Sequence, residues 1–149
     1  MSLQGKAEHR PLCPSAQPDW DGAVAIGVVG GKVEDPHVRP LARPLRVTKE
    51  LLDLADPVRP TEVFRFAAPC LCNGCRHFSG TRCGLATKIV RMVPPATDEL
   101  PECDIRPSCR WFGQEGGEAC LRCPRIVTND AYRSVDVVGA ADPSTPVPT

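Results

Sequence analysis

Charge of one sign is missing from this sequence: Lys and Arg number 18, Asp and Glu number 18, and the net charge is zero. No global basic field is therefore expected to gather nucleic acid, and no acidic tail to repel it. Long apolar runs are missing too, so no segment reaches membrane-spanning length. Met1 to Arg10 hold no apolar h-region and nothing apolar precedes Leu12-Cys13, so neither a signal peptide nor a lipoprotein anchor is expected. A cytoplasmic location follows as the expectation, and there thiols stay reduced. Catalytic signatures are equally scarce. There is no Ser-His-Asp order, paired-carboxylate motif, P-loop or dinucleotide fingerprint. The zinc deaminase pattern fails as well, since no His-x-Glu exists to accompany Ala68-Pro69-Cys70. A non-enzymatic role is the expectation.

Regular structure is also in short supply. Pro numbers 17 and Gly 12 in 149 residues, which leaves room only for short strands and helices. A chain of this kind buries a modest core and needs a staple. The sequence therefore predicts a small, irregular α+β fold around a metal-stapled, cysteine-rich module. Residues 1–20 are expected to be an irregular arm, interrupted by Pro11, Pro14 and Pro18. Residues 21–68 should form a short strand and helix segment packing on the module, residues 69–139 the module itself, and residues 140–149 a disordered tail.

Within 21–68, Val24, Ile26 and Val28 alternate with small residues and predict a strand from 23 to 29, with Gly30-Gly31 turning after it. Pro36, Pro40 and Pro44 predict an extended connector over 36–47. Thr48 has the chemistry of an N-cap for a helix running to Ala55, which Pro57 and Pro60 end. Residues 62–67 read as a second strand, with Phe64 and Phe66 sharing a face. Further on, Leu85, Ile89 and Met92 have helical spacing. One or two helical turns are expected over 108–119, broken at Gly116-Gly117. Residues 126–128 form a candidate last strand, and Val135, Val137 and Gly139 alternate weakly.

What the chain does have is cysteine, nine in all, eight of them between Cys70 and Cys123. Cys70, Cys72, Cys75 and Cys83 form one group, C-x-C-x2-C-x7-C. Cys103, Cys109, Cys120 and Cys123 form another, C-x5-C-x10-C-x2-C. Two sets of four soft thiolates match two four-coordinate centres and select zinc or iron–sulfur over calcium or magnesium. The odd count fits poorly with a closed disulfide framework. Cys72 to Cys75 enclose Asn73-Gly74, residues that tolerate the left-handed backbone of a tight turn. Cys120 to Cys123 make a second turn. Sequential groups of four give one centre each. The alternative joins the two C-x2-C pairs in one ribbon-like site and leaves Cys70, Cys83, Cys103 and Cys109 for another. Cys13, alone in the arm, reads as a solitary loop thiol in preference to a ligand folding back. His77 reads as a packing residue, with metal ligation as the alternative.

Cys120-x2-Cys123-Pro124 resembles the close of a bacterial ferredoxin motif, where Cys-Pro ends a cluster loop. The tight C-x2-C-x2-C of ferredoxins is absent, so the resemblance covers about five residues and does not imply the ferredoxin fold. The crowded Cys70-x-Cys72-x2-Cys75 also looks like iron–sulfur ligation more than a zinc knuckle, because neighbouring C-x-C side chains diverge. Trp111, Phe112, Phe78 and Leu121 are candidates to shield a cluster. Arg76, Arg82, Arg106, Arg110, Arg122 and Arg125, close to cysteines in sequence, are candidates to offset its negative charge.

The expectation is an iron–sulfur protein with one or two centres, 4Fe–4S in type, acting in electron transfer, redox sensing or as an accessory to a larger enzyme. Its partner would be a redox protein or enzyme. Between Cys70 and Arg133 basic residues exceed acidic ones by only two, too few to favour nucleic acid. The alternatives are a zinc-stapled adaptor for protein or nucleic acid, and a protein that delivers metal or clusters.

Overall fold

Alternating branched and small side chains make a strand of the segment from Val24, and that strand becomes an inner member of a sheet. In the computed structural model, which describes residues 10–32, 35–128, 139–144 and 146–147, β2 is Val24–Lys32 and β3 is Asp35–Arg46. β4, Phe64–Pro69, runs antiparallel along the other side of β2. β1, Leu12–Ala16, pairs with β4, and the strand order is β1-β4-β2-β3. Short helices surround the sheet: α1 is Lys49–Asp53, α2 Pro60–Val63, α3 Gly84–Met92, α4 Arg110–Glu115 and α5 Gly117–Arg122. β5, Phe78–Ser79, and β6, Arg82–Cys83, make a small separate ladder. The protein is a small mixed α+β fold of short elements, as its composition predicts. No helix among the described residues is long and apolar enough to cross a membrane.

Several local expectations hold. The Thr48 hydroxyl accepts from the Leu51 amide at 3.1 Å and caps α1. Phe64 and Phe66 share a face with their ring centroids 6.1 Å apart, and Leu51 and Leu52 pack on their cluster. Of the next two apolar residues, Ala55 is buried and Leu54 exposed. The break between α4 and α5 falls at Gly116, whose φ of 75° only glycine adopts readily. β4 starts two residues later than the sequence implies, because Pro60–Val63 close a helical turn first.

Three expectations give way. The segment 36–47 is a strand rather than a connector. β3 lies at the sheet edge, where prolines without an N–H are tolerated, and a register shift opposite Ala25 and Gly27 takes up the residues around Pro44. The N-terminal arm is not irregular throughout. Leu12–Ala16 pair with β4, Cys13 opposite Ala68, and the Cys70 amide donates to the Pro11 carbonyl at 2.8 Å. The tail is anchored at its start, since Ala140 is 0% exposed within the cluster formed by Leu85, Ile89, Val93, Trp111 and Ile126. Lys88 Nζ donates to the Asp142 carbonyl at 2.6 Å and fixes the same segment. Residues 126–128 make no ladder. The alternation at Val135 and Val137 lies outside the described residues.

Gly27 shows why one face of β2 is built from small side chains. A Cβ added there would sit 2.6 Å from Val38 Cγ1 and 3.1 Å from the Arg39 carbonyl oxygen. Val38 is buried and has little room to yield. Gly27→Ala should therefore cost about 1–3 kcal/mol by overpacking, read as a lower urea midpoint. An unchanged midpoint would mean that β3 moves freely on β2.

Candidate metal centres

Each group of cysteines meets a cavity. The first, of about 280 Å³, is lined by Cys13, Cys70, Cys75 and Cys83, with His77 and Arg110 among its other walls. The second, of about 50 Å³, is lined by Cys103, Cys109, Cys120 and Cys123, with Arg65 and Arg106 beside them. The second cavity brings together the four cysteines of the second sequential group. At the first, Cys13 lines the wall with Cys70, Cys75 and Cys83, and Cys72 does not.

The exchange has a local cause. Cys13 lies on β1 beside the end of β4, and Cys70 follows that end directly. Alternate residues of a strand face opposite sides, so Cys13 and Ser15 line the first cavity while Pro14 lines the second. Cys72 opens the tight turn Cys72–Gly74, and the left-handed backbone expected of Asn73-Gly74 falls on Cys72 itself, at φ 51°. For a side chain with a Cβ that costs about 1–2 kcal/mol. Its thiol does not line the cavity and instead accepts from Arg110 Nη2 at 3.6 Å. The Cys72 amide donates to Cys70 Sγ at 3.3 Å.

Cys83 is positioned from α4. Gln114 bridges it, accepting from the Cys83 amide at 2.8 Å and donating to its carbonyl at 2.9 Å. Gln114 is steadied by Glu115, whose carboxylate also accepts from Thr87 at 2.7 Å and Arg82 at 3.0 Å. Arg82 is thereby paired with a carboxylate and not with a thiol. Arg122 likewise turns to the Val93 carbonyl and to Glu118. Arg76 and Arg125 line neither cavity, nor does Leu121. Of the arginines singled out in the sequence, Arg106 and Arg110 reach the thiols' surroundings. Arg106 stacks on Phe112 at 5.9 Å, and Arg110 on Phe78 at 5.1 Å.

Burial governs the thiols. It pushes Cys13 up to about 12 and Cys109 up to about 11, and it raises Cys83 and Cys103 as well. Left alone, these groups stay protonated at neutral pH; a bound metal would displace the proton and neutralise the thiolate. Burial, with Lys88 and Arg76 adding to it, lowers His77, which is therefore neutral near pH 7. Among the described residues, no three His, Cys, Asp or Glu side chains converge closely enough to hold one metal ion. The thiols ring cavities instead of meeting at a point.

The residue the sequence did not single out is Arg65. It is 1% exposed, on a strand buried on both faces. Its Nε donates to the Pro14 carbonyl, and its Nη1 to the carbonyls of Cys123 at 2.7 Å and Ile126 at 2.9 Å. The guanidinium lies over Trp111, 5.3 Å from the ring centroid, and Nη2 has no partner among the described residues. It forms no ion pair with a described carboxylate. The only signal available was an arginine between two phenylalanines in an otherwise apolar strand. Comparison with protein-family models, curated proteins and solved structures finds no match to this chain.

Arg65→Met keeps most of the volume but strands the carbonyls of Pro14, Cys123 and Ile126. At about 1–3 kcal/mol for each buried group left unpaired, stability should fall by roughly 3 kcal/mol or more. Arg65→Lys should recover only part, since an ammonium lacks the planar fork. Urea unfolding under reducing conditions measures both. Equal stability of Arg65→Met and wild type would show that water replaces the guanidinium.

Proposed function

We propose that this protein binds two iron–sulfur clusters, 4Fe–4S in type, and exchanges electrons with a protein partner. Cys13, Cys70, Cys75 and Cys83 hold one cluster, and Cys103, Cys109, Cys120 and Cys123 the other. One observation carries the proposal. Six residues have a buried side-chain nitrogen without a partner among the described residues, and five of them, Arg65, His77, Arg106, Arg110 and Trp111, line a cysteine cavity. Buried polar groups without partners are rare and costly. Their gathering around thiols calls for an occupant that is negative and accepts hydrogen bonds. A thiolate-ligated cluster is both, and N–H groups aimed at its sulfurs tune its potential.

The spacing of the thiols supports a cluster over a single ion. Zinc–sulfur bonds of about 2.3 Å bring four thiolates to about 3.8 Å from one another. A cluster spreads its four ligands over separate irons and suits thiols that surround a space. Closed four-cysteine ligation leaves no open metal position for substrate, which favours electron transfer over metal-centred hydrolysis.

Protein purified without oxygen should be brown and contain iron and acid-labile sulfide. Colourless protein with stoichiometric zinc, from cells supplied with both metals, would replace this function with the zinc-stapled adaptor. Ligand assignment has its own test. Cys13→Ser should lose about half the iron and Cys72→Ser very little, judged by iron content per folded chain. The reverse result would restore Cys72 as ligand and return Cys13 to a solitary thiol.

A further inference from the structure

The two cavities share a wall. β1 supplies part of it, with Cys13 toward the first cavity and Pro14 toward the second. The start of α4 supplies the rest. Cys109 lines the second cavity, Arg110 lines the first and reaches Cys72 Sγ at 3.6 Å, and Trp111 lines both. A parallel bridge between Leu12 and Cys109 ties the two parts, so Cys13 follows directly the residue that pairs with Cys109. Two residue steps along a chain span at most about 7 Å, and the segment from Cys109 to Trp111 covers the distance from one set of thiols to the surroundings of the other. Trp111 is 1% exposed, and its Nε1 has no partner among the described residues.

We infer that the two centres work as one coupled pair, joined across Trp111 and the Cys109–Trp111 backbone, and that the protein is a two-electron carrier loaded by a one-electron protein donor. The inference rests on the two-cluster function proposed above. With clusters held by these thiols, an electron from the donor would pass along Cys109–Trp111 from one site to the other, the first returning to its oxidised form as the second is reduced, and a second one-electron delivery would fill the pair. No bond to protein forms or breaks and no proton is required. The second set is the end nearer solvent: Cys103, Cys109, Cys120 and Cys123 are all part-exposed, and Glu102 and Asp104 beside Cys103 are exposed. In the first set Cys70 and Cys83 are buried. A surface-facing centre to receive electrons and an interior one to store them is what that asymmetry provides.

The test uses the full-length protein, assayed first for iron and labile sulfide, then reduced stepwise with dithionite and followed by electron paramagnetic resonance. Early in the titration most reduced molecules carry a single electron and should give simple, isolated signals. At full reduction both clusters are paramagnetic, and the spectrum should broaden, gain extra features and relax faster. Cys83→Ser and Cys120→Ser, each lacking one centre, should keep simple signals throughout. A wild-type spectrum of constant shape from first to last reduction, equal to the sum of the two variants, would overturn the coupling while leaving the clusters in place. Iron sufficient for only one cluster would also overturn it, and protein without iron would sink the function and the inference together. Should the variants not fold, the wild-type titration decides alone through the change of shape between partial and full reduction.

Discussion

A guanidinium with no described carboxylate to answer it holds the sheet to the cysteine-rich half. Arg65 springs from β4, at the middle of the sheet, and its donors end on β1 and on the turn that carries Cys123. Desolvating such a charge costs several kcal/mol, which carbonyl dipoles and an indole face offset only in part. The thiols of the second cavity lie beside it, and they would offset the charge if a bound metal held them as thiolates. β1, the Cys123 turn and Trp111 all contact this one side chain.

Each cavity follows the same design from different parts. Thiols are taken out of water, which penalises their charged form, and cationic or N–H groups are taken out of water beside them. Either population is unfavourable alone. A thiolate-bound metal would let them satisfy one another, and its binding would then stabilise the fold around it. The first cavity draws its thiols from β1, the end of β4 and the segment to Cys83, while the second draws all four from residues 103–123. The two sets of thiols therefore depend on different lengths of chain folding correctly.

Local signals in the sequence were legible where the physics is local. Thr48 caps its helix, Gly116 breaks one, and the alternation at Val24 gives a strand, because each depends on a few neighbouring backbone groups. The proline-rich stretch over 36–47 was misleading because proline forbids an inner strand but not an edge one, and edge position is decided by tertiary pairing. The place of Cys13 was hidden for a related reason: only the pairing of β1 with β4 brings it beside Cys70, at the wall of the first cavity. Arg65 was missed because a buried cation leaves no periodic trace beyond its place between two phenylalanines. Both are products of long-range contacts that spacing alone does not encode.

The two margins of the sheet are closed to neighbours by unlike means. Along β3, Pro36, Pro40 and Pro44 remove amide donors permanently, whatever the state of the rest of the molecule. Along β1, the margin is covered by the start of α4, through the bridge from Leu12 to Cys109. Proline protection is covalent, whereas the cover on β1 is only as durable as the fold of residues 103–123. Damage that loosens that fold uncovers one strand margin and not the other, and an exposed margin is the template on which chains stack into aggregates. The same contact that sets the two thiol sets side by side thus doubles as the guard over the sheet's one vulnerable border.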